Sequence, residues 1–154
     1  MGVAPLISYF YGAAEYEKVN VLIKYSKVFI LVTSVVSAAA CLIFGKYIVM
    51  AFEHPGSELF DMALTGIRLL ASALFLCGMN IFASGFFTAY GNGKVSALIS
   101  ASRALVMVIA GLMILSWIFG MTGVWLSLTF AEIATLALTA VMLVKYKDVY
   151  NYRF

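Results

Sequence analysis

The sequence has 154 residues, of which 64% are apolar and 11% are charged, and its formal net charge is +3. Soluble domains are roughly half apolar and a quarter charged, so this composition indicates a polytopic membrane protein. The mean hydropathy of +1.04 agrees with that interpretation. The positive charge is too small and too scattered along the chain to indicate binding to nucleic acid.

Residues that could carry catalysis are scarce. His54 is the only histidine, so neither a three-ligand metal site nor a Ser-His-Asp arrangement can be assembled. No glycine-rich phosphate loop precedes a helix. Cys41 and Cys77 lie in separate apolar segments without C-x-x-C spacing, which is typical of packing thiols. We therefore expect no enzyme, no metal site and no cofactor.

The chain begins with a short apolar and aromatic stretch, PLISYFYGA, at residues 5–13. A proline at its start and a glycine near its finish are typical of helix geometry and of a helix end. Only four residues precede it. We expect residues 1–13 to be the end of a helix that begins earlier in a longer protein.

Four apolar runs follow, each long enough for the roughly 20 residues that a membrane-spanning helix needs. They cover residues 21–44, 66–89, 95–119 and 122–144, and residues 145–154 form a tail. Turn-forming residues separate them: HPGS at 54–57, GNG at 91–93 and GMTG at 120–123. The sequence predicts an all-α polytopic membrane protein with four transmembrane helices plus the end of a fifth.

The basic residues predict which side of the membrane each loop faces. If the four spans alternate, seven basic residues fall on one side: Lys18, Lys24, Lys27, Lys94, Lys145, Lys147 and Arg153. The other side has Lys46 and Arg68, together with the acids Glu53, Glu58 and Asp61. This asymmetry places the C-terminus in the cytoplasm. Tyr146, Tyr150 and Tyr152 would then lie at a membrane interface, where amphipathic rings are favoured.

Glu132 stands near the middle of the fourth predicted span. A charge at that depth costs at least about 2.5–3.5 kcal/mol, so it usually faces a partner or a wet cavity. Thr129, Thr135 and Thr139 share its helical face. Arg103 in the third span lies at a similar depth, within reach of a long side chain. Two interpretations stay open: a titratable group that carries a proton or attracts a cation, and a structural ion pair with Arg103.

The second predicted span has a polar stripe of its own, formed by Ser72, Asn80, Ser84 and Thr88. This stripe could line a water-filled path or form hydrogen bonds between helices. Small residues at every fourth position predict close helix packing in spans three and four: Ser96, Ser100, Ala104, Ser127, Ala131, Thr135 and Thr139. The rings of Phe75, Phe82, Phe86 and Phe87 could stack on a flat organic cation or face lipid and core.

Several of these segments, taken in order, resemble the multidrug and toxic compound extrusion (MATE) family. They are PLISYFYGA at 5–13, FFTAYGNGK at 86–94, Arg103, GMTGVW at 120–125 and the Ala-Glu pair at 131–132. The likeness is strongest to the bacterial branch of small-cation and drug exporters. It implies a twelve-helix protein of two six-helix lobes that exchanges sodium ions or protons for cationic organic compounds by alternating access.

On this resemblance the chain matches the C-terminal lobe. Residues 1–13 would be the end of helix 8, and the four runs would be helices 9, 10, 11 and 12. Two departures stand out: residues 106–111 lack the proline that members often carry after the helix-11 arginine, and Asn80 stands where helix 10 of some members offers a coupling acid. The resemblance implies a bacterial inner-membrane location, contact with lipid, and an N-terminal lobe as partner.

The residues expected to take part in transport or coupling are Glu132, Arg103, Asn80, Ser84, Thr88 and Thr135. The coupling ion, Na⁺ or H⁺, stays open, and cationic organic compounds are the expected substrates. Two other functions stay open. One is a related flippase for lipid-linked sugars, which would need more basic residues than Arg68 and Arg103. The other is a four-span membrane scaffold that does not transport.

Overall fold

The computed structural model describes residues 2–150 and residue 152 of the chain. Within that part it is helical, without a β-strand. The helices are α1 (Ala4–Gly12), α2 (Tyr16–Met50), α3 (Glu58–Ala89), α4 (Gly93–Ala101), α5 (Met107–Phe119) and α6 (Met121–Tyr150). A π-helical segment, Ser102–Val106, joins α4 to α5, and we refer to it as the π-turn.

Four helical stretches are long and apolar enough to cross a membrane: α2, α3, the continuous helix Gly93–Phe119, and α6. Together with the shorter α1, they confirm the predicted fold class. The helices extend beyond the apolar runs: α2 begins at Tyr16, α3 begins at Glu58, and α6 runs to Tyr150 through residues that the sequence assigned to the tail. Backbone hydrogen bonding continues past the point where side chains become polar, so hydropathy alone marks only the middle of each helix.

The helix ends follow local chemistry. The Ser57 side chain accepts a hydrogen bond from the Phe60 amide at 3.1 Å, and Asn92 Oδ1 accepts one from the Val95 amide at 3.2 Å. Both residues act as N-caps. Gly91 has a φ of +75° in the turn between α3 and α4, as the GNG sequence predicts. After α1, however, the positive φ of +59° falls on Ala14, and Gly12 is simply the last helical residue.

α3 is the central helix of the bundle and contacts α1, α2, α4 and α6. Small residues bring its neighbours close. An added Cβ at Gly66 would overlap with the Trp125 indole of α6, and one at Gly78 would lie 2.7 Å from Ile30 Cγ2 of α2. Large apolar side chains such as Phe29 of α2 and Trp117 of α5 are exposed on the outside of the bundle. This distribution suits a bundle whose outer surface faces lipid and whose interior carries small and polar groups.

The main apolar core lies at one end of the bundle, where α1, the start of α2 and the end of α3 meet. Phe86 and Phe87 are buried there, so the structure gives these two rings a core position. Phe75 is exposed, and Phe82 is partly buried against the same core. Of the two interpretations left open for these rings, the core position holds for Phe86 and Phe87.

Candidate functional site

Glu132 of α6 is buried, and its charge is paired across the helix interface. Its Oε1 lies 3.2 Å from Arg103 Nη1 of the π-turn, so the predicted contact between these residues is confirmed. The Glu132 side chain is 10% exposed and the Arg103 side chain is 32% exposed. A carboxylate at this depth is stable only with a counter-charge and hydrogen-bond donors around it.

Asn80 of α3 supplies those donors. Its Nδ2 donates to Glu132 Oε2 at 2.8 Å and to the Glu132 carbonyl oxygen at 3.0 Å. Its Oδ1 accepts a hydrogen bond from Thr139 Oγ1 at 3.1 Å, and both Asn80 and Thr139 are fully buried. We call Arg103, Glu132, Asn80 and Thr139 the Glu132 network. It connects α3, the π-turn and α6 through both oxygens of one carboxylate.

Thr135 lies on the same face of α6, one turn from Glu132 and one from Thr139. Its side chain is completely buried, and its Oγ1 has no hydrogen-bond partner among the described residues. Buried hydroxyls in native proteins usually bond to protein or to ordered water. Thr135 therefore marks a polar position beside the carboxylate, but it is not bonded into the network itself.

Ser84 and Thr88, the other two predicted site residues, lie in a separate cluster. Ser84 Oγ is 3.0 Å from Ser96 Oγ and 2.7 Å from Ser100 Oγ, and Thr88 Oγ1 donates to Ser96 Oγ at 2.7 Å. We call these four residues the serine cluster. Ser72, at the other end of the α3 stripe, bonds to Thr129 of α6 at 2.8 Å. The α3 stripe thus forms interhelical hydrogen bonds, which is the second of the two interpretations left open.

An aromatic cluster closes the end of the bundle where α1, α3 and the C-terminal segment meet. It consists of Tyr11, Phe86, Tyr90, Tyr150 and Tyr152, with ring centroids from 4.3 to 6.1 Å apart. Tyr152 is buried, and its hydroxyl donates to the Leu143 carbonyl oxygen at 2.6 Å. Tyr152 therefore packs its ring against Phe86 within the protein, while the predicted position of this tyrosine at a membrane interface stays a prediction.

Burial in this cluster raises the pKa of two of its phenols, Tyr90 and Tyr152. Desolvation, together with the neighbouring Tyr150, raises the pKa of Tyr152 to about 12. Desolvation, together with Tyr11, Tyr152 and Tyr16, raises the pKa of Tyr90 above its ordinary value. The neutral phenol is therefore the favoured form at both positions over the whole physiological range.

Sequence reasoning missed three features of these sites. The pattern gave no sign that Asn80 binds Glu132, because the two residues are far apart in the chain. It assigned Ser96 and Ser100 to packing, although their spacing matches that of Ser84 and Thr88 on α3. The π-turn was also missed. The sequence has no proline after Arg103, so a kink was not predicted, yet the regular α-helix is interrupted at Ser102–Val106.

Two further features of the described residues limit the chemistry. No group of three His, Cys, Asp or Glu side chains within residues 2–150 and 152 could hold a metal ion. A groove of about 530 Å³ runs between α1, α2 and α3, and its walls include Ile7, Tyr25, Phe29, Ile30 and Phe82. Its lining is mostly apolar and it does not include Glu132.

A helical membrane bundle with an acid–base pair in its interior belongs to the class of integral membrane proteins in which transporters are common. Comparison with known proteins identifies the family. The family model MatE matches residues 1–113, and the chain belongs to this family. The match includes Asn80 and Arg103, whereas Glu132 lies beyond it.

The chain is similar to staphylococcal proteins described as multidrug export protein MepA. It is 30% identical over 149 residues to the protein of Staphylococcus saprophyticus and 32% identical over 145 residues to one from Staphylococcus aureus. Each alignment covers 94% of this chain, and the chain spans 31% of the length of these relatives. No solved structure matches the chain.

Proposed function

We propose that this chain forms part of a multidrug exporter that exchanges sodium ions or protons for cationic organic compounds by alternating access. Membership of the MatE family and the likeness to proteins named for multidrug export support the export function. The Glu132 network, in which three helical segments surround one buried carboxylate, indicates which residues would take part in transport. Export is transport, so the chain would not be an enzyme.

The network suggests a role for each member. Glu132 would take up the proton or attract the cation, because it is the buried acid. Arg103 would pair with the carboxylate when no ion is bound, since it lies 3.2 Å away. Asn80 would orient the carboxylate through Oε2. Thr135 would offer its unpaired hydroxyl to an arriving ion or water. Ser84 and Thr88 would hold α4 against α3.

The proposal includes an orientation in the membrane. The bacterial inner membrane would hold the bundle with the α3–α4 turn and the C-terminus in the cytoplasm, as the count of basic residues favours. Arg153, one of the residues counted, lies outside the described part of the chain. In the family arrangement α1 would be the end of helix 8, and the four spans would be helices 9 to 12. An N-terminal lobe would complete the transport path.

The contacts of Arg103 do not support the alternative function, a flippase for lipid-linked sugars. Pyrophosphate headgroups would need basic groups that are free to bind them. The Arg103 guanidinium is already paired with Glu132. A headgroup would have to compete with a buried carboxylate for that charge. The exporter is therefore the function that the site supports best.

The test is export of a fluorescent organic cation such as ethidium from bacteria that lack their own exporters. The gene product that contains this chain should lower ethidium accumulation below the empty-vector control. Residues 1–154 expressed alone should not, because alternating access needs two lobes that move against each other. Full accumulation despite normal membrane insertion of the gene product would refute the proposal.

Within the same assay Glu132→Gln should abolish most export while leaving insertion intact. Glutamine keeps the shape of the side chain and can still bond to Asn80, but it cannot carry a charge or exchange a proton. Glu58→Gln is the matched control, because Glu58 is an exposed acid in the first turn of α3. Unchanged ethidium resistance of the Glu132 variant at normal expression would show that the acid is structural or dispensable.

A further inference from the structure

The third membrane helix is built from two halves that pack on different neighbours. α4 packs mainly on α3, whereas α5 packs on α6. The α4 half is held by the serine cluster, in which Ser96 and Ser100 bond to hydroxyls of α3 at 2.7–3.0 Å. These are directional contacts between side chains, and none of them involves a residue of α5.

The α5 half is held by close backbone contact instead. A Cβ added at Gly111 would lie 3.1 Å from the Ser127 carbonyl oxygen of α6. A Cβ added at Gly123 of α6 would overlap with the Leu115 carbonyl of α5. The short connection through Gly120, with its φ of +59°, ties the two helices together at that end. α5 and α6 are therefore closely packed along this stretch, and we refer to them as the α5–α6 unit.

The π-turn lies at the junction of these two halves. π-helical turns are rare, and they occur mostly as single turns within α-helices, often at functional sites. Sharp changes of helix direction are commonly found at such turns. On the outer side Leu105 and Val106 are exposed, so the described part of the chain leaves that side of the turn uncovered. The ion pair from Arg103 to Glu132 fastens the turn to α6 on its inner side.

We propose that the π-turn is a joint in the third membrane helix and that the charge of Glu132 holds it closed. The proposal rests on the function proposed above, since it describes how the same site would act on the bundle. Glu132 pairs with Arg103 of the π-turn and acts electrostatically on the Cys77 thiol of α3, while Asn80 contributes only neutral groups. When a proton or a cation neutralises the carboxylate, Arg103 is released, and α4 changes its angle relative to the α5–α6 unit.

Distance measurements between spin labels test the joint directly, and they need no transport activity. The gene product that contains this chain would carry Cys41→Ser and Cys77→Ser, and would be placed in lipid nanodiscs. One label pair, at Leu98 of α4 and Val144 of α6, spans the joint. A second pair, at Met113 of α5 and Val144, lies within the α5–α6 unit. All three label positions are exposed.

Glu132→Gln should broaden or shift the Leu98–Val144 distance distribution and leave the Met113–Val144 distribution unchanged. Glu58→Gln, the matched removal of an exposed acid, should leave both unchanged. If neither distribution responds to Glu132→Gln, or if both shift together, the proposal that the π-turn is a joint is refuted. Loss of export without a distance change would leave the proposed function standing and would refute only the joint.

Deletion of Leu105 gives a second and independent variant. A π-turn accommodates one extra residue, so removing one should restore a continuous α-helix while the faces of α4 and α5 keep their partners. In this background Glu132→Gln should no longer alter the Leu98–Val144 distribution. A response as large as that of the parent protein would show that the motion does not arise at the π-turn.

Discussion

The Glu132 network and the aromatic cluster both join several helices through buried side chains. Charged and polar contacts hold the network together, whereas apolar ring contacts hold the cluster together. The network joins a carboxylate to a guanidinium and an amide within 3.2 Å. The aromatic cluster joins five rings whose contacts are mainly apolar, and the Tyr152 hydroxyl donates a hydrogen bond to the Leu143 carbonyl oxygen. A charged group inside a membrane costs free energy, so its presence suggests a function. Packed aromatic rings contribute to the stability of the fold, and that contribution is enough to account for them.

The comparison predicts that changes in the aromatic cluster act on folding. Phe86→Ala should give the largest loss, roughly 3–5 kcal/mol of unfolding free energy, because it removes a fully buried ring and leaves a cavity. Thermal denaturation in detergent would measure it. Phe75→Ala is the matched control on the same helix, since that ring is 44% exposed, and it should change the melting temperature little. Equal losses at both positions would show that the cluster has no special part in folding.

Changes in the network should separate stability from function. Arg103→Ala should destabilise the protein by up to about 3 kcal/mol, because it leaves the Glu132 carboxylate buried without its counter-charge. Combining it with Glu132→Gln should recover most of the lost stability but none of the export. Arg68→Ala, at an exposed arginine of α3, is the control. Additive losses in the double variant would mean that the pair is not coupled.

The smallest expected loss of stability is for a substitution at Tyr152. Tyr152→Phe should cost about 1 kcal/mol, since it removes the hydrogen bond to the Leu143 carbonyl but keeps the packed ring. Denaturation at neutral pH would measure it. Tyr9→Phe, at an exposed ring of α1, is the control and should have no measurable effect.

The same variant should change the response to alkali. The pKa of Tyr152 is raised from 10.0 to about 12, so the folded state favours the neutral phenol. The stability that this phenol contributes is intact below pH 10 and is lost as the pH rises toward 12. Tyr152→Phe should therefore flatten the fall in melting temperature across that range. A fall as steep as that of the unmodified protein would contradict the assignment to Tyr152.

The membrane fold and the Arg103–Glu132 contact could be predicted from the sequence for physical reasons. Apolar runs near 20 residues have few alternatives to a spanning helix, and an acid near the middle of one span has a clear partner in an arginine at a similar depth in the next. The exact ends of α2 and α6 could not be predicted, because helical hydrogen bonding continues into polar sequence. The contact from Asn80 to Glu132 depends on how α3 and α6 cross, which no local pattern records.

The π-turn and the burial of Tyr152 escaped prediction for a related reason. No residue type signals a π-turn as proline signals a kink, so the sequence Ser102–Val106 reads as ordinary helix. An interfacial tyrosine and a tyrosine that folds back into the core look alike in composition. Neither feature follows from a local sequence pattern.

The most direct measurement of the central claim is ion-driven uptake of ethidium into proteoliposomes that contain the gene product with this chain. An imposed pH or sodium gradient should drive uptake by the unmodified protein and by Glu58→Gln, and should drive none by Glu132→Gln at equal protein content and equal melting temperature. Uptake by Glu132→Gln at the unmodified rate would contradict the account, because the buried carboxylate of α6 would then have no part in coupling.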